Sequence, residues 1–486
     1  MLNELKKECN ITTTENGAVT YTSTGSLCLD LFSAIGALRG AEKSEIANRF
    51  IRAYTEDADT AMKILFFARD IRGGLGERRV FRVILNYLAN YESNSVIKNL
   101  HLVSEYGRYD DLICLLGTPC EKAAAQQIKA QLEADIKNMH NNQPVSLLAK
   151  WLPSANTSNK KTVANARRLI RLLGMREPEY RKTLTSLRAY IKIIENNLRE
   201  KDYSFDYCAV ASKARFKYRR AFERNDYQRY NDFLCAVENG KTKMHIDTLM
   251  PYEIIRPFFD GKALTEHERR DIDITWKNLP DFGNDENAIA VIDGSGSMYF
   301  GTNPQPILIA MSLGIYFAEH NSGEFKNHFI TFSHNPRLVE IKGNDIVEKL
   351  TFCKTYNEVA NTNIQKVFEL ILKTAIHNNT PQEEMPKALY FITDMEFDCC
   401  TINANLTNFE YAKKIFNDAG YALPKVVFWN VESRNCQQPV KMNEQGVALV
   451  SGCTPKLFEM VSSGKLSPYE YMLEIINHDR YKNIVA

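Results

Sequence analysis

The segment AIAVIDGSGSMYF, from Ala288 to Phe300, is the most informative one in this 486-residue chain. Small apolar residues, typical of a buried strand, lead directly into Asp293, and glycine and serine then alternate. Carboxylate and hydroxyl oxygens suit a hard divalent cation, and glycines allow a tight turn that aims alternate side chains at one point. The segment therefore predicts a buried strand that ends at a metal site.

Strands and helices alternate from this segment to the end of the chain. Apolar runs such as HFITFS, ALYFIT and KVVFWNV predict strands, RLVEIKG predicts a short edge strand, and amphipathic segments between them predict helices. Such alternation is typical of a doubly wound, Rossmann-like parallel sheet, which binds ligands at the carboxyl ends of its strands. We therefore predict an α/β domain over residues 284–486.

Residues 1–283 show a different pattern, a series of amphipathic helices. Segments such as TVANARRLIRLLGM and EYRKTLTSLRAYIKIIENNL place apolar residues at helical spacing, and short polar or glycine-containing loops separate them. Helices in series with short loops suggest stacked helical pairs, although no clean repeat period is visible. The polar linker NLPDFGNDEN places the boundary near residue 283.

Two later junctions could complete the metal site. Asp293, Ser295 and Ser297 leave positions open around an ion that takes about six oxygens. Thr362 precedes a predicted helix in NTNIQKVF, and Asp394 follows a predicted strand in FITDME. A phosphate-binding loop is excluded because the Gly-Lys-Ser/Thr signature is missing. A turn that merely caps a helix remains the structural alternative.

This constellation resembles the metal-ion-dependent adhesion site (MIDAS) of von Willebrand factor A (vWA) domains. The family pattern is Asp-x-Ser-x-Ser, then a threonine, then an aspartate. The resemblance implies that Ser295, Ser297 and Thr362 supply hydroxyl ligands to Mg²⁺ or Mn²⁺. It also implies that Asp293 and Asp394 act directly or through water, with one place left for water or for an acidic group of a partner.

The sequence departs from the MIDAS pattern at two places. The two glycines usual before the threonine are Ala360 and Asn361 here, and the glycine usual after the final aspartate is Met395. No ligating oxygen is missing, but these changes could alter the shape of the loops and the affinity for metal. A degenerate site that no longer holds metal is therefore the alternative.

Positive charge is concentrated in the helical half. Between Lys150 and Arg224 there are 19 lysines and arginines against 7 acidic residues, a net charge of +12 in a chain of net charge +2. Such a region is a candidate surface for nucleic acid, although basic helix faces are often only solvated. Interleaved aromatic residues could stack on unpaired bases, but Phe216 and Phe222 are expected in the core. The predicted RNA contacts are Arg167, Arg171, Lys213, Lys217, Arg220 and Arg224.

Three further motifs are distinctive: RDIRGGLGERRVFRVIL (69–85), EYGRYDDLICLL (105–116) and LLAKWLPSANTSN (147–159). With the C-terminal half, they resemble the TROVE–vWA group, which includes the Ro ribonucleoprotein autoantigen. The chain resembles an uncharacterised bacterial, viral and plant family of the same layout more closely. The resemblance implies a ring of HEAT-like helical repeats over residues 1–283, closed by a vWA-like domain over 284–486.

For the Ro branch, the resemblance also implies binding of small structured RNAs on the outer basic surface and of single-stranded ends of misfolded RNAs in the hole of the ring. The individual motif residues have simpler interpretations. Arg108 could pair with Asp110 or Asp111 instead of RNA, and core packing is the default for Trp151.

We therefore expect a non-enzymatic, RNA-binding ribonucleoprotein scaffold with a divalent cation in its vWA site. The alternative is a protein-interaction scaffold whose metal captures a carboxylate of a partner. A metal-dependent nuclease is less favoured because nucleases usually cluster several carboxylates around their metals, whereas hydroxyls dominate here. Glu396 and Asp398, which lie close to Asp394 in sequence, keep that possibility open.

The remaining composition predicts a cytoplasmic protein. No apolar run of about 18 residues is present, so we expect no membrane span. The first residues, MLNELKKECNITTTENG, lack the apolar region of a signal peptide. Eleven irregularly spaced cysteines without a zinc motif indicate reduced thiols.

Overall fold

The computed structural model describes residues 1, 5, 9–261, 263–283, 287–356, 363–399, 406–461 and 467–486. They form two compact units. The sheet unit comprises residues 1–64 and 246–482, and the helical unit comprises residues 65–245 and 483–486. The boundary predicted at residue 283 separates two sequence patterns, but it does not separate these two units. Residues 1–64 and 246–283 precede it and belong to the sheet unit.

Most of the chain up to residue 277 is helical. Its elements are β1 (Ile11–Thr13), β2 (Val19–Tyr21), α1 (Leu27–Ile35), α2 (Lys43–Glu56), α3 (Ala58–Arg69), α4 (Arg78–Tyr91), α5 (Ser93–Asn99), α6 (Val103–Tyr106), α7 (Glu121–His140), α8 (Leu148–Trp151), α9 (Lys160–Leu173), α10 (Glu177–Tyr190), α11 (Ile194–Glu200), α12 (Ser212–Asn225), α13 (Tyr227–Glu238), α14 (Pro251–Phe259) and α15 (Glu266–Lys277). Within the described ranges, no helix combines the length and the apolar character that crossing a membrane requires.

Strands and helices alternate after residue 287, as predicted. The elements are β3 (Ala288–Asp293), α16 (Pro306–His320), β4 (His328–Phe332), β5 (Leu338–Glu340), α17 (Ile346–Lys354), α18 (Ile364–Asn378), β6 (Ala388–Thr393), α19 (Asn408–Asp418), β7 (Lys425–Asn430), β8 (Val447–Ser451), α20 (Lys456–Val461) and α21 (Pro468–Ile476). The strand order is β5-β4-β3-β6-β7-β8. All neighbouring strands are parallel except β4 and β5, so the predicted fold class, helices in series and then a doubly wound sheet, is confirmed.

The topology places a binding crevice between β3 and β6. The chain runs from β3 to β4 on one side and returns to β6 on the other, so the strand order reverses between β3 and β6. Ligands bind at such switch points in open α/β sheets. The register pairs Ile292 with Ile392, so Asp293 and Thr393 end the two strands side by side.

The N-terminal hairpin packs on one face of this sheet. Ala18, at its turn, belongs to the apolar cluster that contains Ile289, Phe391 and Phe428. The turn has Gly17 at a φ of +85°, a conformation that glycine adopts readily. The helical pattern predicted for residues 1–283 did not include this hairpin, and the Asn-Gly dipeptide between two β-rich runs was the signal that could have revealed it.

Helix α1 lies against the edge strand β8. The backbone N–H of Gly36 donates to Ser451 Oγ at 3.0 Å, and that hydroxyl donates to the carbonyl of Phe32 at 3.3 Å. A Cβ atom at position 36 would lie 2.4 Å from the carbonyl oxygen of Ser451. Glycine is therefore required because two backbone segments approach closely.

We expect Gly36→Ala to destabilise the sheet unit by about 1–3 kcal/mol, the usual range for overpacking. The added methyl group meets rigid backbone atoms, so α1 must move away from β8. Urea unfolding followed by circular dichroism measures the change. Unfolding at the same urea concentration as the wild type would contradict the close packing described here.

Candidate functional site

Three of the predicted metal ligands lie at the carboxyl end of β3: Asp293 ends the strand, and Ser295 and Ser297 lie on the loop after it. Asp293 is fully buried, and its carboxylate accepts hydrogen bonds from the Ser295 amide at 2.9 Å and the Thr393 hydroxyl at 2.6 Å. The hydroxyl oxygens of Ser295 and Ser297 lie 3.1 Å apart. The alternating pattern thus places one carboxylate and two hydroxyls at the same end of the strand.

Asp394 reaches the same place from β6. It follows Thr393 and is only 2 % exposed. The pKa of Asp293 is raised, mainly because its carboxyl group is buried and in addition because the charge of Asp394 is nearby. The structure therefore brings together Asp293, Ser295, Ser297 and Asp394, while Thr362 lies outside the described residues.

Met395 adopts the backbone conformation that glycine favours. Its φ is +71°, and its amide donates to the Thr393 hydroxyl at 3.1 Å. For a residue with a side chain, the left-handed region costs about 1–2 kcal/mol. The Met395 side chain is 8 % exposed and packs in the apolar cluster, which helps to offset that strain. Methionine in place of the usual glycine at position 395 therefore keeps the turn. The other departures from the MIDAS pattern, Ala360 and Asn361, lie outside the described residues.

The chemistry of the donor set fits a hard cation. Carboxylate and hydroxyl oxygens are the ligands that Mg²⁺ and Mn²⁺ prefer. Ser333, one residue beyond the partner of Asp293 on β4, is 1 % exposed, and its hydroxyl has no hydrogen-bond partner in the described part of the chain. No group of three or more histidine, cysteine or acidic side chains within the described ranges could hold a metal ion.

Glu396 connects the Asp394 loop to two distant segments. Its carboxylate accepts hydrogen bonds from the Glu15 amide at 2.8 Å, from Asn435 Nδ2 at 2.9 Å and from Gln437 Nε2 at 2.7 Å. The sequence left open a catalytic role for this residue. Its contacts are those of a structural acceptor that fixes the loop.

Two charged residues at this edge were missed by the sequence analysis. Arg434 Nη2 donates to Asp394 Oδ2 at 2.8 Å, and Glu432 accepts a hydrogen bond from the Thr302 amide at 3.1 Å. Both follow β7, the neighbour of β6. Their position after a parallel strand was the available signal, because they form no motif.

An exposed aromatic residue lies on the loop that carries the serines. Phe300 follows Ser297 by three residues and is 75 % exposed, although most large apolar side chains nearby are buried. Exposed aromatic residues are enriched at protein interfaces.

The predicted RNA-contacting stripe is exposed on α12. Lys213, Lys217, Arg220 and Arg224 all face solvent. Lys217 Nζ lies 4.7 Å from the centre of the Tyr218 ring and donates to its hydroxyl at 3.0 Å. Four cations on one helix face form a suitable surface for phosphates.

The aromatic residues of this helix divide between core and surface. Phe216 and Phe222 are buried, as expected, and Phe222 packs against Tyr207 and Tyr230. Tyr218 is half-buried. Of the three aromatic side chains on α12, only that of Tyr218 is partly accessible to a base.

A second basic region lies on α9 and α10. Arg171 is exposed, and Arg167, whose side chain is 67 % exposed, lies 4.0 Å from the carboxylate of Glu177. Such an exposed and distant pair neutralises little charge.

A cleft of about 380 Å³ lies beside this region and was not predicted. It is lined by Ser154 and Asn156 on one side and by Arg181, Lys182 and Thr185 of α10 on the other. Among the described residues, neither Arg181 nor Lys182 has an acidic partner within 4 Å. The cleft therefore combines positive charge with hydrogen-bonding groups.

The wall of the cleft is rigidly held. Arg188 donates to the carbonyls of Ala149 and Leu152 and to the hydroxyl of Ser154, at 2.8–2.9 Å. The Tyr180 hydroxyl donates to the carbonyl of Pro153 at 2.9 Å. These bonds preorganise the loop of the LLAKWLPSANTSN motif.

The motifs at residues 69–85 and 105–116 meet in a buried ionic network. Arg69 Nε and Arg82 Nε donate to the carboxylate of Asp111 at 2.8 and 2.5 Å. Arg108 pairs with Asp110, and its guanidinium stacks 3.8 Å above the Trp151 ring. These residues therefore hold the helical unit together.

Comparisons with known proteins place the chain in a family. Residues 14–124 and 121–281 match the domain of unknown function DUF2828, and residues 287–476 match the domain of unknown function DUF7788. The chain is 30 % identical over 505 residues to uncharacterized protein L728 of Acanthamoeba polyphaga mimivirus, a match that covers 96 % of this chain and 87 % of that protein.

A solved structure is also similar over most of the chain. The crystal structure of the Deinococcus radiodurans RO (RSR) protein matches with a TM-score of 0.48 and 11 % identity, covering 93 % of this chain and 99 % of that one. The DUF2828 match spans more than half of the chain, and the chain is similar to the mimivirus protein over nearly its whole length, so this chain belongs to the DUF2828 family.

Proposed function

We propose that this protein is a non-enzymatic RNA-binding scaffold that holds one divalent cation, Mg²⁺ or Mn²⁺, at the switch point of its sheet. The observation that carries RNA binding is the set of exposed cations on the helical unit, above all Arg181 and Lys182 in the preformed cleft. The motif resemblance to the Ro branch supports the same function.

The two basic regions suit different parts of a nucleic acid. The α12 stripe offers charge to successive phosphates, which gives affinity without sequence preference. The cleft has the size of a small ligand pocket and offers donors and acceptors as well as charge. We therefore propose that backbone phosphates contact α12 and that a nucleotide of an unpaired segment enters the cleft.

We expect the double substitution Lys217→Ala and Arg220→Ala to weaken RNA binding because two phosphate contacts are lost. On single-stranded RNA, the slope of log affinity against log salt should become shallower by about 1.4. Filter binding of a single-stranded RNA oligonucleotide at several salt concentrations measures both quantities.

The matched control is Lys373→Ala with Lys413→Ala, which removes two exposed, ion-paired lysines of the sheet unit. This control should bind RNA like the wild type. Equal affinities and slopes for all three proteins would argue against the α12 stripe.

The cation, when bound, would supply a Lewis-acidic point that holds an anionic oxygen. Asp293, Ser295, Ser297 and Asp394 would bind and orient it. Glu396 would keep the Asp394 loop in place through its three hydrogen bonds. We propose a binding function, because Glu396, the acidic residue nearest to Asp394 in sequence, already acts as a structural acceptor.

A second candidate function is capture of a protein partner through a carboxylate at the metal. The exposed Phe300 beside the serine ligands favours it, because aromatic side chains, Phe included, are enriched at protein interfaces. EDTA separates the two functions. It should abolish a metal-bridged protein contact and leave salt-sensitive RNA binding unchanged.

A further inference from the structure

The guanidinium of Arg434 lies directly against the candidate metal centre. Its Nη2 is 2.8 Å from Asp394 Oδ2, and its Nη1 is 3.3 Å from Glu15 Oε2. The Asp394 side chain is 1 % exposed, whereas 34 % of the Arg434 side chain is exposed. One ligand of the proposed cation is thus already paired with a cation of the protein itself.

Arg434 is held in place by its neighbours in the chain. Arg49 donates to the Ser433 hydroxyl at 2.8 Å and to the Asn435 carbonyl at 3.1 Å. The Asn435 side chain donates to the carboxylates of Glu15 and Glu396, at 2.8 and 2.9 Å. The segment around Arg434 is therefore fastened on both sides, so its guanidinium is preplaced.

The groups around Arg434 are mostly acidic. Asp293, Asp394 and Glu432 are all buried at this edge of the sheet. Burial raises the pKa of Glu432, and the charge of Asp394 adds to this effect, whereas the charge of Arg434 opposes it. Arg434 thus partly neutralises a concentration of buried carboxylates, which is also what a divalent cation would do.

We infer that Arg434 is a built-in competitor of the divalent cation for the carboxylate of Asp394. The guanidinium pairs with Asp394 when no metal is bound, and it releases that carboxylate when the ion enters. The physical reason is that a guanidinium and a divalent ion on one carboxylate repel each other, strongly so where water is largely excluded. This inference rests on the metal site of the proposed function.

The competition has a measurable consequence for affinity. Removing the positive charge should tighten metal binding, because the ion no longer has to displace a partner or approach a like charge. Replacing a residue that merely orients Asp394 should do the opposite. The direction of the change therefore separates competition from positioning.

The test is a Mn²⁺ titration of the full chain, with free Mn²⁺ followed by electron paramagnetic resonance. We expect Arg434→Gln to bind Mn²⁺ at least about tenfold more tightly than the wild type, a difference of about 1.4 kcal/mol. Arg434→Lys, which keeps the charge, should bind more weakly than Arg434→Gln. The control Lys413→Gln, an exposed lysine paired with Glu444, should leave the affinity unchanged.

Each outcome of the titration leads to a different conclusion. Equal or weaker Mn²⁺ binding by Arg434→Gln overturns the competition. If the wild type and every Arg434 variant fail to bind Mn²⁺, the metal centre itself fails, and the inference with it. If only the charge-removing variants bind, the competition is supported and the arginine occupies the site in the wild type. Should Arg434→Gln not fold, Arg434→Met removes the charge with a side chain of similar length.

Discussion

Replacing Asp111 with alanine will destabilise the helical unit by about 3–5 kcal/mol, the usual effect of removing one partner of a buried ion pair. The Asp111 carboxylate is fully buried and accepts hydrogen bonds from Arg69, Arg82 and the backbone amide of Arg108. Arg69 is itself only 2 % exposed. The substitution leaves its guanidinium in the interior without a counter-charge.

Urea unfolding of the full chain, monitored by circular dichroism, measures this loss of stability. The matched control is Glu121→Ala, which also removes an acidic partner of an arginine, Arg168, but on the surface. Exposed pairs contribute little, so the control should unfold close to the wild type. Similar losses in both variants would show that burial of the network is not the cause.

Asp293→Asn will abolish stabilisation by divalent cations. A ligand at 100 times its Kd stabilises the folded state by about 2.7 kcal/mol, and this gain should be absent from the variant. Asparagine has the shape of aspartate and can still accept from the Ser295 amide and donate to the Thr393 hydroxyl. In EDTA near pH 4, where Asp293 is protonated in the folded wild type, the variant should therefore melt close to the wild type.

Thermal unfolding with Mg²⁺ and with EDTA makes the comparison. Ser312→Ala is the control, because that buried hydroxyl donates to the carbonyl of Ile309 one turn earlier on α16. This control should keep the full response to Mg²⁺. A variant at position 293 that responds to Mg²⁺ like the wild type would refute the metal centre.

The same variant should change how stability depends on pH. Burial and the charge of Asp394 raise the pKa of Asp293 from 3.8 to about 7, so the folded state binds this proton more tightly than the unfolded chain. In EDTA, the stability of the wild type should therefore fall as the pH rises from about 4 to 7. Asp293→Asn should lack this component, and equal pH profiles in urea unfolding would contradict it.

The sheet and its binding edge could be predicted because their signals are local. Each strand is a short apolar run, and the carboxyl ends of parallel strands meet, so Asp293 and Asp394 were expected together although they are far apart in sequence. The same logic would have selected Glu432 and Arg434. They escaped because a charged pair in a loop has no periodicity or motif.

The place of the N-terminal residues could not be predicted from periodicity. Their contacts are long-range: the Glu15 amide meets Glu396, and the backbones of Tyr21 and Gln438 exchange hydrogen bonds. Such pairs leave no repeating pattern in either segment. The roles of Arg108 and Trp151 were similarly ambiguous, since a conspicuous arginine or tryptophan fits an interface and a core equally well until its neighbours are known.

The assignment of residues 10–36 to the sheet unit has a consequence for synthesis on the ribosome. The hairpin emerges well before the segments around Asp398 and Gln438 with which it pairs, and α1 emerges well before β8, against which it packs. Residues 65–245, in contrast, are nearly complete as a unit when they leave the exit tunnel. The nascent hairpin and helix must therefore remain unassembled, with their apolar faces open to chaperones, until the segments against which they pack have been synthesised.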